Sequence, residues 1–261
     1  AARGRGAVAR GGDANPGGPA EEAGLHVTSE GAAQRVTEHV YRIDAGALGL
    51  YLIVLPEGLT LIDAGFPQTM PVIEEAVSSL GRQAEEIDNI LVTHCHPDHV
   101  AGLAEVKRFT NARVWMHPAD AELVRSGQAF RPWKVAPGLG NRLFAWRVIR
   151  RDSLTFEPAS VDKEAESGAE VPVAGGIRAI GTPGHTAGHL AFLWGGDGGV
   201  LFAGDVAKNV RGLVPATIYE DYRQGLDDLR MIGRYEFEVA CLAHGAPLVG
   251  GAAREFRRRW A

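Results

Sequence analysis

The residues that most constrain this chain lie in Thr93-His94-Cys95-His96-Pro97-Asp98-His99, where three imidazoles and a carboxylate follow an apolar run. Residues 89–93 read as a buried strand. If extended geometry persists to position 96, alternation sends His94 and His96 to one side and Cys95 to the other. Pro97 ends any ladder, and Asp98 stands where a helix would begin, so its carboxylate and the His99 ring are presented from a first helical turn. An Asp there is ordinarily a helix N-cap, and a solitary His is ordinarily a hydrogen-bonded core or surface residue. Three histidines and an aspartate at this spacing on a strand-to-helix loop have few structural uses, so metal binding is the expectation.

Three further candidates stand at later strand ends. His185 lies in the turn Gly181-Thr182-Pro183-Gly184-His185-Thr186-Ala187-Gly188-His189, Asp205 closes Leu201-Phe202-Ala203-Gly204-Asp205, and His244 closes Cys241-Leu242-Ala243-His244 before Gly245. Singly, each reads equally well as a turn residue. Jointly with the first cluster they complete two coordination shells.

Short apolar strands are expected at residues 36–43, 50–54 and 60–62, then a helix over 70–80, the strand 89–93, a helix over 100–109, a strand at 112–116 and a helix over 118–124. The second half repeats the style, with strands near 177–180, 190–194, 200–202 and 239–243, a helix over 221–232 and a short terminal helix. The 261 residues, 45% hydrophobic, suit one large α/β domain. Residues 1–34, rich in Ala, Gly, Arg and Pro, read as a disordered tail preceding a folded domain at 35–261.

A formal charge of −5 leaves no electrostatic footprint for nucleic acid. No stretch approaches the roughly 18 apolar residues of a membrane span. The expected partner is a small-molecule substrate, with a homodimer also compatible. Cys95 and Cys241 are too few for a disulfide framework and read as buried small hydrophobes. A cytoplasmic location is the expectation, with secretion or a periplasmic location left open because the chain begins with Ala.

At the quoted motifs the chain resembles the metallo-β-lactamase superfamily over residues 36–260, with all seven ligand positions in family order. The resemblance implies an α/β (α+β) fold, a four-layer αββα sandwich with the site at one edge between the sheets. It also implies two Zn²⁺ per chain, with Fe or Mn as alternatives. One metal would take His94, His96 and His185, the other Asp98, His99 and His244, and Asp205 would bridge them. Asp63, in Leu61-Ile62-Asp63-Ala64-Gly65, matches the acidic turn that supports the metal loop in this family, with a turn-stabilising Asp as the competing reading.

The implied activity is hydrolysis of an ester, lactone or thioester through a metal-bridging hydroxide, with Asp98 as the catalytic residue that orients it and shuttles its proton. A bridging Asp resembles the glyoxalase II and lactonase branches more than the true β-lactamases, so β-lactam hydrolysis ranks lower. Lys208 stands where the lactonases often carry a substrate-contacting tyrosine, for which Tyr219 or Tyr222 could substitute. The C-terminal region lacks an obvious basic glutathione-binding segment. A mono-iron, persulfide dioxygenase-like oxidoreductase using His94, His185 and Asp205 is the rival reading, disfavoured by the complete second site. Residues 126–157 carry Phe130, Trp133, Phe144, Trp146 and Phe156, a lid or alternatively a core or dimer patch.

Overall fold

The computed structural model describes residues 33–128, 131–147 and 155–261, together with the first residue. The tail expected at 1–34 falls almost wholly outside these, as do Phe130, the Phe144 side chain and residues 148–154 of the aromatic span. In chain order the first half comprises β1 (Gln34–Arg35), β2 (Val40–Ala45), β3 (Leu48–Leu55), β4 (Gly58–Ile62), α1 (Met70–Ser79), β5 (Ile87–Leu91), α2 (Pro97–Val100), α3 (Leu103–Thr110), β6 (Arg113–Met116) and α4 (Pro118–Ser126). Next come β7 (Lys134–Val135), α5 (Leu139–Arg147), β8 (Lys163–Glu164), β9 (Glu170–Val171), β10 (Ile177–Gly181), β11 (Leu190–Trp194) and β12 (Val200–Gly204). The chain closes with β13 (Ala207–Asn209), β14 (Leu213–Pro215), β15 (Ile218–Tyr219), α6 (Tyr222–Ile232), β16 (Val239–Leu242), β17 (Leu248–Val249) and α7 (Ala252–Trp260).

One sheet runs β1-β2-β3-β4-β5-β6-β8 and the other β17-β16-β12-β11-β10-β9. The central strands β3, β4, β11, β12 and β16 are buried on both faces, as strands covered on both sides are. On β3, Tyr51 and Ile53 pack against Phe192, Phe202 and Cys241 of the second sheet, while Leu50 and Leu52 turn outward onto Ile73 of α1, Leu103 of α3 and Val124 of α4. On β12, Phe202 enters the space between the sheets, whereas Leu201 and Ala203 face Leu229 of α6 and Phe256 of α7. Two sheets face to face with helices outside each give the four αββα layers expected. Among the described residues no helix is long and apolar enough to cross a membrane.

Several boundaries differ from the sequence-based expectation. The strand expected at 89–93 ends at Leu91, two residues early. The N–H of Thr93 is taken by the Asp63 carboxylate (2.7 Å), so the histidine segment is a side-chain-braced loop. The strand expected at 36–43 begins at Val40, because Thr37 and the His39 N–H are held by Asp197 of the second half. The helix expected over 100–109 is two helices parted at Ala101 and Gly102. A Cβ on Gly102 would lie 2.4 Å from the Phe66 carbonyl oxygen, so this turn must pass close to the backbone behind Asp63.

Candidate metal centre

Three imidazoles meet where the sheets end. His94 Nε2 lies 3.0 Å from His96 Nδ1, and His185 Nε2 lies 3.2 Å from the first and 3.0 Å from the second. His94, His96 and His185 are 0%, 5% and 2% exposed. Burial, reinforced by the neighbouring imidazoles, holds all three basicities down, His96 to about 3. Neutral rings thus aim converging lone pairs at one point. Tetrahedral zinc, with Zn–N bonds of 2.0–2.1 Å, sets ligand nitrogens about 3.3 Å apart, so the spacing fits a cation.

The remote ring atoms are fixed. His185 Nδ1 donates to the Ile218 carbonyl (2.9 Å), and His94 Nδ1 lies 3.0 Å from Thr93 Oγ1. His96 has extended backbone angles and precedes α2, whose first residue is Pro97. Asp98 is therefore inside the helix and not its N-cap.

A second set lies alongside. Asp98 Oδ2 is 3.3 Å from His244 Nε2 and 3.7 Å from His99 Nε2. The two oxygens of Asp205 divide between the sets: Oδ1 lies 3.6 Å from His99 Nε2 and 3.4 Å from His244 Nε2, while Oδ2 lies 3.6 Å from His185 Nε2. His99 Nε2 and Asp205 Oδ1 are buried without a hydrogen-bond partner. Such atoms are costly unless something else satisfies them. Burial alone would depress His99, but the Asp63 and Asp98 carboxylates outweigh it and push it up to about 10. His244 is likewise raised against burial by Asp205. Asp205 is held well below the carboxylate range, again against burial, by His244 and His99. Protons thus do the neutralising that a cation would do, and the donor set fits a second metal.

The rings of this set are oriented from behind. His99 Nδ1 lies 2.8 Å from Asp63 Oδ2, and His244 Nδ1 donates to the Ala47 carbonyl (3.1 Å). Asp63 adopts a left-handed conformation (φ 63°), which lets its carboxylate reach Thr93 and His99 together. The backbone N–H of Asp205 donates to His189 Nε2 (3.0 Å), so Nδ1 carries the ring proton and donates to Thr182 Oγ1 (2.6 Å). His189, left without a role by sequence reasoning, therefore sets where Asp205 sits. Gly204 (φ 51°) permits it: a Cβ there would be 2.7 Å from that His189 nitrogen.

All seven sequence-predicted ligand residues lie together. Other expectations are redistributed. Tyr219 is 1% exposed, its hydroxyl accepts from the Ala216 N–H, and its ring meets the His185 ring edge-on at 5.9 Å between centroids. Tyr222 packs on Tyr219 at 5.3 Å between ring centroids. Half-buried Lys208 donates to Thr217 Oγ1. Cys95 and Cys241 are buried in the cores, where burial pushes both thiols up. Trp133 and Trp146 line a cavity of about 320 Å³ with Val135 and Pro137. Missed entirely was Asp120, fully buried beneath the histidine loop; an acidic residue in the first turn of a helix ordinarily reads as surface.

The sequence profile of the Metallo-beta-lactamase superfamily matches residues 50–244, a span holding all seven of these residues. The chain is 26% identical over 237 residues to the probable metallo-hydrolase YflN of Bacillus subtilis, covering 84% of this chain and 89% of that protein. It is 29% identical over 188 residues to a hydroxyacylglutathione hydrolase of Rhodopseudomonas palustris, covering 69% of this chain but only 58% of that relative. In structure it resembles BJP-1, a subclass B3 metallo-beta-lactamase of Bradyrhizobium japonicum, with a TM-score of 0.65, 22% identity and coverage of 87% and 90%, a likeness of fold. Matching profile, layered fold and hydrolase relatives together make this chain a member of the metallo-beta-lactamase superfamily and a metallo-hydrolase.

Proposed function

We propose that the chain is a dinuclear hydrolase of small-molecule carbonyl esters, lactones or thioesters. Its metals are held by His94, His96 and His185, by Asp98, His99 and His244, and by Asp205 between them. The observation that carries this reading is the divided carboxylate of Asp205, with one oxygen toward each set. A mononuclear iron site built from His94, His185 and Asp205 would leave His99 and His244 without a task.

Bound at these residues, two divalent cations, with zinc the best match to imidazole and carboxylate donors, would supply hydroxide near neutral pH and a Lewis acid for a carbonyl. The protein's own part is to hold opposing charges close together and to orient them. Asp98 and His244, with side chains 27% and 26% exposed, form the open side of the ligand set. We assign Asp98 the catalytic role of orienting the attacking water and accepting its proton, because its carboxylate is the one ligand group both solvent-facing and basic when ionised. The 29% identity to hydroxyacylglutathione hydrolases favours thioesters and related acyl groups over β-lactams.

The deciding assay is an anaerobic panel of esters, lactones, thioesters and β-lactams with zinc-loaded protein, alongside elemental analysis. Two metal equivalents and chelator-sensitive hydrolysis of the first three classes are expected. Oxygen uptake on a persulfide by iron-loaded protein, with no hydrolysis above the chelated control, would overturn the assignment.

A further inference from the structure

We propose that Asp120 is a positioning residue for the three-imidazole site, holding the loop of His94 and His96 against the loop of His185. The inference rests on reading those three histidines as metal ligands. Asp120 stands in the first turn of α4 and is fully buried. Its Oδ2 accepts from the Cys95 N–H (3.0 Å) and the Thr186 hydroxyl (2.7 Å). Its Oδ1 accepts from the Gly188 N–H (3.1 Å) and from Arg131 Nη2. Cys95 lies between His94 and His96, and Thr186 follows His185, so one carboxylate grips both ligand loops.

Neither loop is held in place by a sheet ladder. Residues 92–96 lie beyond β5, and residues 182–189 lie between β10 and β11, outside either sheet ladder. One backbone bond, Leu190 N–H to the Thr93 carbonyl (2.9 Å), joins them at their base. The nitrogens of His185 and His96 are nevertheless 3.0 Å apart. Asp120 joins the same two loops through side-chain bonds at Cys95, Thr186 and Gly188. Gly188 allows the approach, since a Cβ there would fall 2.5 Å from the Asp120 carboxyl carbon.

The chemistry of the contacts selects a carboxylate. All four partners are donors, two to each oxygen, and an amide would turn its own N–H groups toward one pair of them. The charge is balanced by Arg131, whose Nε reaches Glu220 Oε1 and Oε2 (2.8 and 3.0 Å). Glu220 Oε2 in turn accepts from the Ala187 N–H (3.0 Å), a second grip on the His185 loop. A buried carboxylate so compensated is not left as an isolated charge.

The test measures binding of the first zinc equivalent to metal-free protein by competition with a chromophoric chelator, and the visible spectrum of the cobalt(II) derivative. Thermal melting of the metal-free protein serves as the folding control. Asp120→Asn is expected to weaken first-site affinity by about 10- to 100-fold and to shift the cobalt bands, beyond any change in melting. Thr186→Val, which removes one hydroxyl from the same carboxylate oxygen, should move both readouts the same way by a smaller factor. It decides the matter if Asp120→Asn does not fold. Wild-type zinc affinity and an unchanged cobalt spectrum in the folded variant would overturn the proposal, leaving Asp120 a role in fold stability alone. Failure of the wild-type protein itself to bind zinc would overturn the ligand assignment, and the proposal with it.

Discussion

Asp205 carries one negative charge between two groups of nitrogens, and its backbone N–H is tied to His189, so neither position nor charge is free to vary. Asp205→Asn keeps the size and removes the charge that would offset two cations in the proposed centre. Turnover should fall on the order of a hundredfold or more, with loss of metal, as elemental analysis and kcat would register. The basicity of His99, pushed up to about 10, means that this ring holds its proton at pH 8 in the metal-free site, and His244 is raised in the same direction by Asp205. Zinc addition in weakly buffered solution at that pH should therefore release the His99 proton, measurable with an indicator dye. Asp63→Gln should reduce this release by withdrawing a carboxylate from His99. That the seven candidate residues would gather was legible in the sequence, because imidazole clusters are rare and their spacing is specific. Of their supports only Asp63 was, through the resemblance of its turn: Asp120 and His189 are ordinary helix and core residues until the fold brings Cys95 and Thr186 to the one and Asp205 to the other.

Among the elements, α6 is the one pressed hardest against the site. A Cβ on Gly184 would lie 2.1 Å from the backbone nitrogen of Gly225, and the Asp221 N–H bonds the Gly184 carbonyl at 2.9 Å. Gly184→Ala must push α6 from the turn that carries His185. It should cost about 1–3 kcal/mol in denaturant unfolding and weaken metal binding as well. At the other end of the second sheet, Asp197 holds His39 through ring and backbone, joining the two halves of the chain. The hydrogen bond to Asp197 raises His39 above its ordinary 6.5, so the stability it contributes is present below that value and lost as pH rises through the folded one. Asp197 is lowered, with hydrogen bonds from Thr37 and His39 outweighing burial, so its contribution is lost as pH falls through the acid range. Asp197→Asn should flatten the pH dependence of melting between about pH 6 and 8, a range set by the ordinary histidine value. Long apolar strands and amphipathic helices were readable from period alone. Two-residue strands such as β7 and β15 were not, because they exist only through pairing across residues 134–219.

For the molecule as a whole, the four layers follow from strands that are apolar on both faces alternating with one-sided helices, a pattern visible in the sequence. The meeting of both halves at one edge depends on chain crossings that periodicity does not encode. The candidate ligands run from residue 94 to residue 244, so metal bound there links first half to second. Stripping it should lower Tm on the order of 20 °C, taking about 4 kcal/mol for each of two sites at a thousandfold excess of metal over Kd and about 2–4 °C per kcal/mol.

The two ligand sets also differ in depth: His94, His96 and His185 are at most 5% exposed, whereas the Asp98 and His244 side chains are about a quarter exposed. An exposed site surrenders its ion by direct attack, but a sealed one must wait for the protein to open. Chelation should therefore proceed in two phases, the first accelerating with chelator concentration and the second reaching a ceiling set by the opening rate. Stopped-flow traces with a zinc indicator would show one exponential if both ions left by the same route. With two, the plateau of the slower phase would time how often the sheets part at their ligand-bearing edge.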